Sequence, residues 1–456
     1  MIRRVDIDDR VREWGLRDDV VEKDYVLGWI LWGVGTEPVL SERWVFKGGT
    51  CLKKCYIETY RFSEDLDFTV LEGGPITPEE VGSAIGRVLS RIAEHSGLDF
   101  GVMAPRFRAR LGGRSTEGTV YYRRPRGAPN PASIKLDLTA AEVLVEPPVL
   151  REVAHPYTDG FPSPNEVRCY SAEELFAEKL RAMSERSRPR DLYDIVNLFR
   201  RPEFSADAPR VHRILVAKCE HKGIDVPTFE TLEASPFRAE LQSEWGNMLA
   251  HQLPALPPYE QFWGELPALF EWLENRTTPV PLPAFPEAAD AELTWAPPAR
   301  AAVWGTAAPL EQIRFAAVNR LCVDLGYQGS VRTIEPYSLR RSRAGHLLVY
   351  AVKSQTREPR SYRVDRIQSV RLTQRSFTPV YAIEFPAAGP LAAPPVSTTT
   401  RPSFGRAASE PRYVLECSRC GRTFPRTTRD TSIRPHKDSN GWPCPGRRGH
   451  LTDQLY

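Results

Sequence analysis

Apolar residues recur along the chain with a period that switches between helix and strand, and the switches delimit its elements. Val11 to Gly33 carries two helical patterns, the second with Val26, Leu27, Trp29, Ile30 and Leu31 behind the charged lip Glu22-Lys23-Asp24-Tyr25. Val45-Phe46 reads as the end of a buried strand, Gly48-Gly49 as a tight turn, Thr50 to Ile57 as a short helix and Leu66 to Val70 as a second strand. Thr77 to Ser96 is amphipathic, with Val81, Ala84, Ile85, Val88, Leu89 and Ile92 on one side. Arg106 to Leu111 and Val120 to Arg124 alternate as strands around a Leu111-Gly112-Gly113 turn, and Ser133 to Thr139 is a further compact strand. Ser171 to Met183 opens as a helix with Ser171 as N-cap and Glu174 three residues on, a capping box. Asp191 to Phe199 is another helix, which Asp191 can cap. Helical patterns rich in Trp and Phe continue to Glu274.

Proline and alanine then break the periodicity twice, dividing the chain into residues 1–275, a linker 276–305, a β-rich module 306–384, a linker 385–412 and a Cys-containing end 413–456. A length of 456 residues fits two or three domains. An apolar share of 41% beside 26% charged residues describes a globular chain. There is no apolar run near the roughly eighteen residues of a span, and Met1 to Arg17 is too charged for a leader, so the expectation is a cytoplasmic protein with no membrane partner.

A formal charge of +3 is too small to indicate a partner, but its distribution is uneven. Arg106, Arg108, Arg110, Arg114, Arg123, Arg124 and Arg126 crowd a stretch whose one carboxylate is Glu117. Such spacing suits a solvated strand edge or the phosphate backbone of an RNA. The eight cysteines form no evident disulfide framework, and the three near the end point to metal.

The chemistry concentrates in Phe46 to Thr69, FKGGTCLKKCYIETYRFSEDLDFT. A Gly-Gly turn lets backbone approach an anion, and the free N–H groups of the helix behind it can hold phosphate. Asp65 and Asp67, two apart on a strand, point the same way and can share a divalent ion. This order resembles the first motif of polymerase-β-like nucleotidyltransferases, and KGGT…RFSEDLDF resembles the AbiEii/AbiGii toxins of type IV toxin–antitoxin systems. The resemblance covers about the first half of the chain. It implies an α+β fold with a helical second half. Lys47, Gly48, Gly49, Thr50 and Ser63 would hold an NTP, and Mg²⁺ would sit on Asp65, Asp67 and a third carboxylate, Asp137 in SIKLDLT. It further implies that Lys179 in Glu178-Lys179-Leu180 faces the triphosphate. Asp191 or Asp194, in RDLYD, would be an acidic member of the site, with no choice between them from sequence.

Pro309 to Phe377 resembles a WYL domain, a small Sm-like β-barrel that senses nucleotides or nucleic-acid fragments. Arg332 before Ile334-Glu335-Pro336, Leu347-Leu348-Val349-Tyr350 and Tyr362-Arg363-Val364-Asp365-Arg366-Ile367 carry the likeness. Docking on the catalytic half is the alternative use. At the end, Cys417-x-x-Cys420, His436 and Cys444 make a four-ligand set for a structural, zinc-ribbon-like Zn²⁺ site, with His436 preferred to His450. Nine Arg/Lys against four Asp/Glu from Pro411 to Tyr456 suit contact with nucleic acid.

The resulting expectation is a Mg²⁺-dependent transferase that moves a nucleotide from an NTP to RNA, the tRNA 3′ end first among acceptors, in toxin–antitoxin or anti-phage defence, with a cognate antitoxin as partner. The alternatives are a nucleotide-sensing regulator with a silent transferase fold, and protein nucleotidylation.

Overall fold

The computed structural model describes residues 2–57, 61–110, 112–205, 207–277, 280–286, 310–342, 346–385, 412–426, 430–438 and 442–455. These residues form two compact units, 1–396 and 397–456.

The first unit is built on a seven-stranded mixed sheet in the order β3-β4-β5-β2-β1-β7-β6. Its strands are β1 Trp44–Lys47, β2 Asp65–Val70, β3 Arg106–Ala109, β4 Ser115–Tyr122, β5 Ala132–Thr139, β6 Val149–Glu152 and β7 Glu166–Cys169. β1 and β2 are antiparallel, whereas β2 with β5 and β1 with β7 are parallel. Alternation along β4 and β5 sends Val120, Tyr122, Ile134, Leu136 and Leu138 into the core. Helix Asp18–Thr36 is buried along most of its length, and helix Pro78–Ser96 lays the apolar stripe expected from its sequence against it. Helices Ala172–Arg186 and Pro189–Phe199 lead into the helical second half.

Several local expectations change. The helix after Gly48-Gly49 begins at Gly48 itself, and its Leu52–Tyr56 portion is a π-helix. Ser171 does cap its helix, accepting from the Glu174 N–H at 3.1 Å, but the box is not reciprocal. The Glu174 carboxylate instead accepts from the Val145 and Glu146 N–H groups and pairs with Lys218, because burial demands partners for its whole charge. Helix Pro189–Phe199 starts two residues ahead of Asp191, with Pro189 in its first turn and no side-chain cap, so Asp191 is released for other partners.

The β-rich module is an antiparallel sheet of β8 Leu321–Tyr327, β9 Ser330–Arg341, β10 Leu347–Lys353, β11 Pro359–Arg363 and β12 Ile367–Ser376, in the order β11-β10-β9-β8-β12. It corrects the expected barrel: among the described residues β11 and β12 do not pair, being separated by the 3-10 turn Val364–Arg366, and the ladder stays open. Helix Leu310–Val318 joins this sheet to the transferase half. Tyr193 donates to Asn319 at 2.7 Å, and Glu265 takes both Arg200 and Arg320 at 2.7 Å. Most of the expected linker 276–305 and nearly all of 385–412 lie outside the described residues. Phe285, within the first, is buried against Tyr337 and Tyr350, so part of that stretch packs rather than merely spans.

The second unit has a three-stranded sheet of β13 Arg412–Cys417, β14 Thr423–Arg426 and β17 Gly449–Leu455, with the short ladder β15 His436–Lys437 and β16 Pro443–Cys444. Among the described residues no helix is long and apolar enough to cross a membrane.

Candidate active site

Strand register sets the site. Lys47 faces Asp67 across β1 and β2, Asp67 faces Asp137 across β2 and β5, and Asp137 faces Glu117 across β5 and β4. Four charged residues therefore cross the sheet in one row, and Asp65 shares the face of Asp67 by the two-residue period. This face floors a cleft of about 680 Å³ that is also lined by Gly48, Gly49, Ser63, Arg61, Arg110, Lys179, Arg186, Arg190 and Asp191.

Both glycines are closely packed against side chains of the cleft. Gly48 has φ +80°, and a Cβ on it would stand 2.3 Å from Asp67 Oδ2; a Cβ on Gly49 would stand 2.5 Å from the Arg61 guanidinium. Thr50 departs from its expected role. Its side chain is buried and its hydroxyl donates to the Asp65 carbonyl at 2.5 Å, so it ties the turn to β2 rather than facing the cleft.

Asp67 stands between Lys47 and Asp137 in this row. Burial pushes its carboxyl up to about 6, with the Asp137 and Asp65 carboxylates adding and Lys47 opposing. Asp137 is turned to Arg110, which it accepts at 2.8 Å. Among the described residues, the oxygens of Asp65, Asp67 and Asp137 do not form a group all within 4.8 Å of one another. Three carboxylates on one face of the cleft, the central one of them desolvated, still fit a hard divalent ion, which takes oxygen ligands.

Lys179, Asp191 and Asp194 form a buried chain of alternating charge. Lys179 bridges Asp191 at 3.2 Å and Asp194 at 2.8 Å. Arg61 holds both oxygens of Asp194, at 2.8 and 3.0 Å, and Arg186 holds both oxygens of Asp191, at 2.8 and 3.1 Å. Burial alone would discharge these groups. The Arg61 and Lys179 charges nevertheless hold the Asp194 carboxyl below its ordinary value, and Asp194 and Asp191 hold Lys179 above its own. The sequence did not single out Arg61 or Arg190. Arg190 lines the cleft, its buried Nε has no hydrogen-bond partner among the described residues, and burial beside Arg61 holds its guanidinium below the usual value. Its sequence signal was its place as the arginine that opens RDLYD, at the end of a basic segment.

Lys23 and Asp24 separate from one another. Asp24 lies in a buried pair with Lys54 at 2.7 Å and accepts from Tyr157, whereas Lys23 reaches Glu64 at 2.6 Å. The arginine-rich stretch also divides. Arg123 pairs with Asp99, Arg124 with Glu22, and Arg126 with Asp8 and Asp18, while exposed Arg106 and Arg108 remain on the edge strand β3.

Residues 29–289 match the family described as nucleotidyl transferase AbiEii toxin, type IV toxin–antitoxin system. The chain belongs to that family. Residues 309–372 match the WYL domain. A solved structure similar to this AbiEii-family nucleotidyltransferase is MenT4, a nucleotidyltransferase toxin from Mycobacterium tuberculosis, at 22% identity and a TM-score of 0.40 over 57% of this chain and 85% of that one. No curated protein matches the chain.

In the C-terminal unit of this AbiEii-family protein, Cys417, Cys420, His436 and Cys444 place their ligand atoms within 4.8 Å of one another. His436 Nε2 lies 3.2 Å from Cys420 Sγ, and its Nδ1 faces the Arg434 carbonyl at 3.1 Å, an arrangement that fixes the ring for a ligand through Nε2. The Arg419 and Cys420 N–H groups hold the Cys417 thiol down to about 6. His450 lies apart, exposed near Glu416. Three sulfurs and a nitrogen at this spacing fit a closed zinc site.

Proposed function

We propose that this AbiEii-family nucleotidyltransferase transfers a nucleotide from an NTP to an RNA acceptor, with a tRNA 3′ end as the acceptor. The observation that carries the reading is the Lys47, Asp67 and Asp137 row beside the Gly48-Gly49 turn, in a cleft rimmed by arginines and lysines. Backbone N–H groups after Gly48, with Lys47, Ser63 and Arg190, hold the triphosphate. Asp65, Asp67 and Asp137 hold Mg²⁺, which when bound supplies charge neutralisation to the triphosphate. Asp137, at the more open side of the row, orients the attacking hydroxyl, which displaces pyrophosphate from the α-phosphorus.

Asp191 and Asp194 are saturated by Lys179, Arg61 and Arg186, which supports a positioning role for both and argues against either as the base. Lys179 belongs to the same scaffold and reaches the cleft as its positive floor. The exposed guanidiniums of Arg106 and Arg108 at the sheet edge suit the RNA backbone. A cognate antitoxin would restrain the enzyme. The WYL domain, joined to the transferase half where Tyr193 donates to Asn319, would regulate it through a nucleotide ligand, and the C-terminal unit would carry Zn²⁺.

Incubation with each α-phosphate-labelled NTP, Mg²⁺ and total tRNA, resolved on a denaturing gel, tests this. Label in an RNA band is the expected result. Label confined to a protein band would replace the RNA acceptor with a protein.

A further inference from the structure

Cys51, Cys55 and Cys169 take no part in nucleotide transfer as described above, yet their sulfurs all lie within 4.8 Å of one another. Cys51 closes the helical turn that starts at Gly48, Cys55 lies in the π-helical segment behind it, and Cys169 ends β7. Cys51 and Cys169 are fully buried, and Cys55 is partly exposed. The Tyr56 hydroxyl stands 3.9 Å from Cys169 Sγ while donating to the Tyr170 carbonyl at 2.6 Å, and the Arg151 guanidinium lies 4.4 Å from the Tyr56 ring.

We propose that these three cysteines form a further metal site, a three-sulfur pocket for a soft, thiophilic ion of the Zn²⁺ or Cu⁺ class. Thiolates about 2.3 Å from a common centre stand roughly 4 Å apart, a spacing this cluster reaches with small adjustment. Soft sulfur donors select such ions over Mg²⁺ or Ca²⁺. Ordinary core packing accounts for buried cysteines one at a time. It does not account for three converging from a π-helical segment and a neighbouring strand beside an arginine. Binding sends the thiol protons to solvent, and the Arg151 guanidinium beside Tyr56 offsets part of the negative charge. Cys55 marks the entry.

The location gives the ion a task. Cys169 pairs with Phe46, the residue before Lys47, so metal held here fastens the Gly48-Gly49 turn to β7.

The test is the number of cadmium ions the full chain binds through thiolates, read by equilibrium dialysis in excess Mg²⁺, which keeps the Asp65, Asp67 and Asp137 site occupied, and by thiolate-to-cadmium absorption in the ultraviolet. A Cys417→Ser/Cys420→Ser chain, with its C-terminal cluster broken, is expected to keep about one ion, and adding Cys55→Ala is expected to remove it. Failure of the first variant to bind, or persistence of the ion after Cys55→Ala, overturns the proposal. The unmodified chain provides a second check: about two thiolate-bound ions with twice the absorption of the Cys417→Ser/Cys420→Ser chain supports the site, and one ion that the first variant abolishes contradicts it.

Discussion

Lys179 Nζ lies 2.8 Å from Asp194 Oδ2, with both side chains nearly or fully buried. A pair of this kind is costly to break from one side, because the surviving charge is left without a partner. Lys179→Ala should therefore cost on the order of 3–5 kcal/mol of stability. It should lower activity and the unfolding midpoint together, as measured by urea denaturation. Loss of activity at unchanged stability would instead make Lys179 a direct phosphate ligand with no scaffold role.

Asp67 should behave in the opposite way. Its carboxyl is pushed up by burial and by its acidic neighbours, so the folded protein carries that charge at a cost. Asp67→Asn is expected to abolish nucleotide transfer while leaving the melting temperature equal or higher when no divalent ion is present. A marked fall in melting temperature would remove Asp67 from the site's chemistry.

Arg190 lines the cleft, and its buried Nε has no hydrogen-bond partner among the described residues. Arg190→Ala should raise the KM for NTP about tenfold, the loss of roughly 1.4 kcal/mol from one charge-assisted contact. Thermal stability should change little. An unchanged KM for every NTP would leave Arg190 to the acceptor.

The buried Asp24 and Lys54 pair predicts a pH dependence. Although burial opposes it, Lys54, Lys53 and the Tyr157 hydroxyl hold the Asp24 carboxyl below its ordinary value. The stabilisation it brings is thus complete above an ordinary carboxylate pKa of about 4 and is lost as pH falls through the lower folded value. Asp24→Asn should destabilise the protein by about 3 kcal/mol or more at pH 7 by stranding Lys54. The gap from the unmodified protein should narrow on going to strongly acidic solution. A gap independent of pH would show that Asp24 acts through packing alone.

Much of the cleft was legible because local chemistry wrote it. The Gly48-Gly49 turn, the Asp65 and Asp67 spacing and the strand with Asp137 each follow from short-range rules, and strand register then aligned Asp67 with Asp137. What stayed hidden depended on partners distant in sequence. Arg61 reaches Asp194 across 133 residues, and Asp24 faces Lys54 rather than the cleft because the fold, not the local pattern, decides where a helix turns its charges. Thr50 looked like a phosphate ligand by position but turns inward to Asp65. The barrel expected for β8 to β12 came from the resemblance to a WYL domain, and short motifs report a likeness of strands and not whether the edges of their sheet meet. Cys51, Cys55 and Cys169 gave no signal because their third member lies far along the chain.

The most direct measurement is label transfer from an α-phosphate-labelled NTP to total tRNA with Mg²⁺, comparing the unmodified chain with Asp65→Ala/Asp67→Ala after both show the same melting curve. Labelled RNA from the first and at least a hundredfold less from the second is the predicted result. Equal labelling by the two folded proteins would contradict the assignment of Asp65 and Asp67 to the reaction.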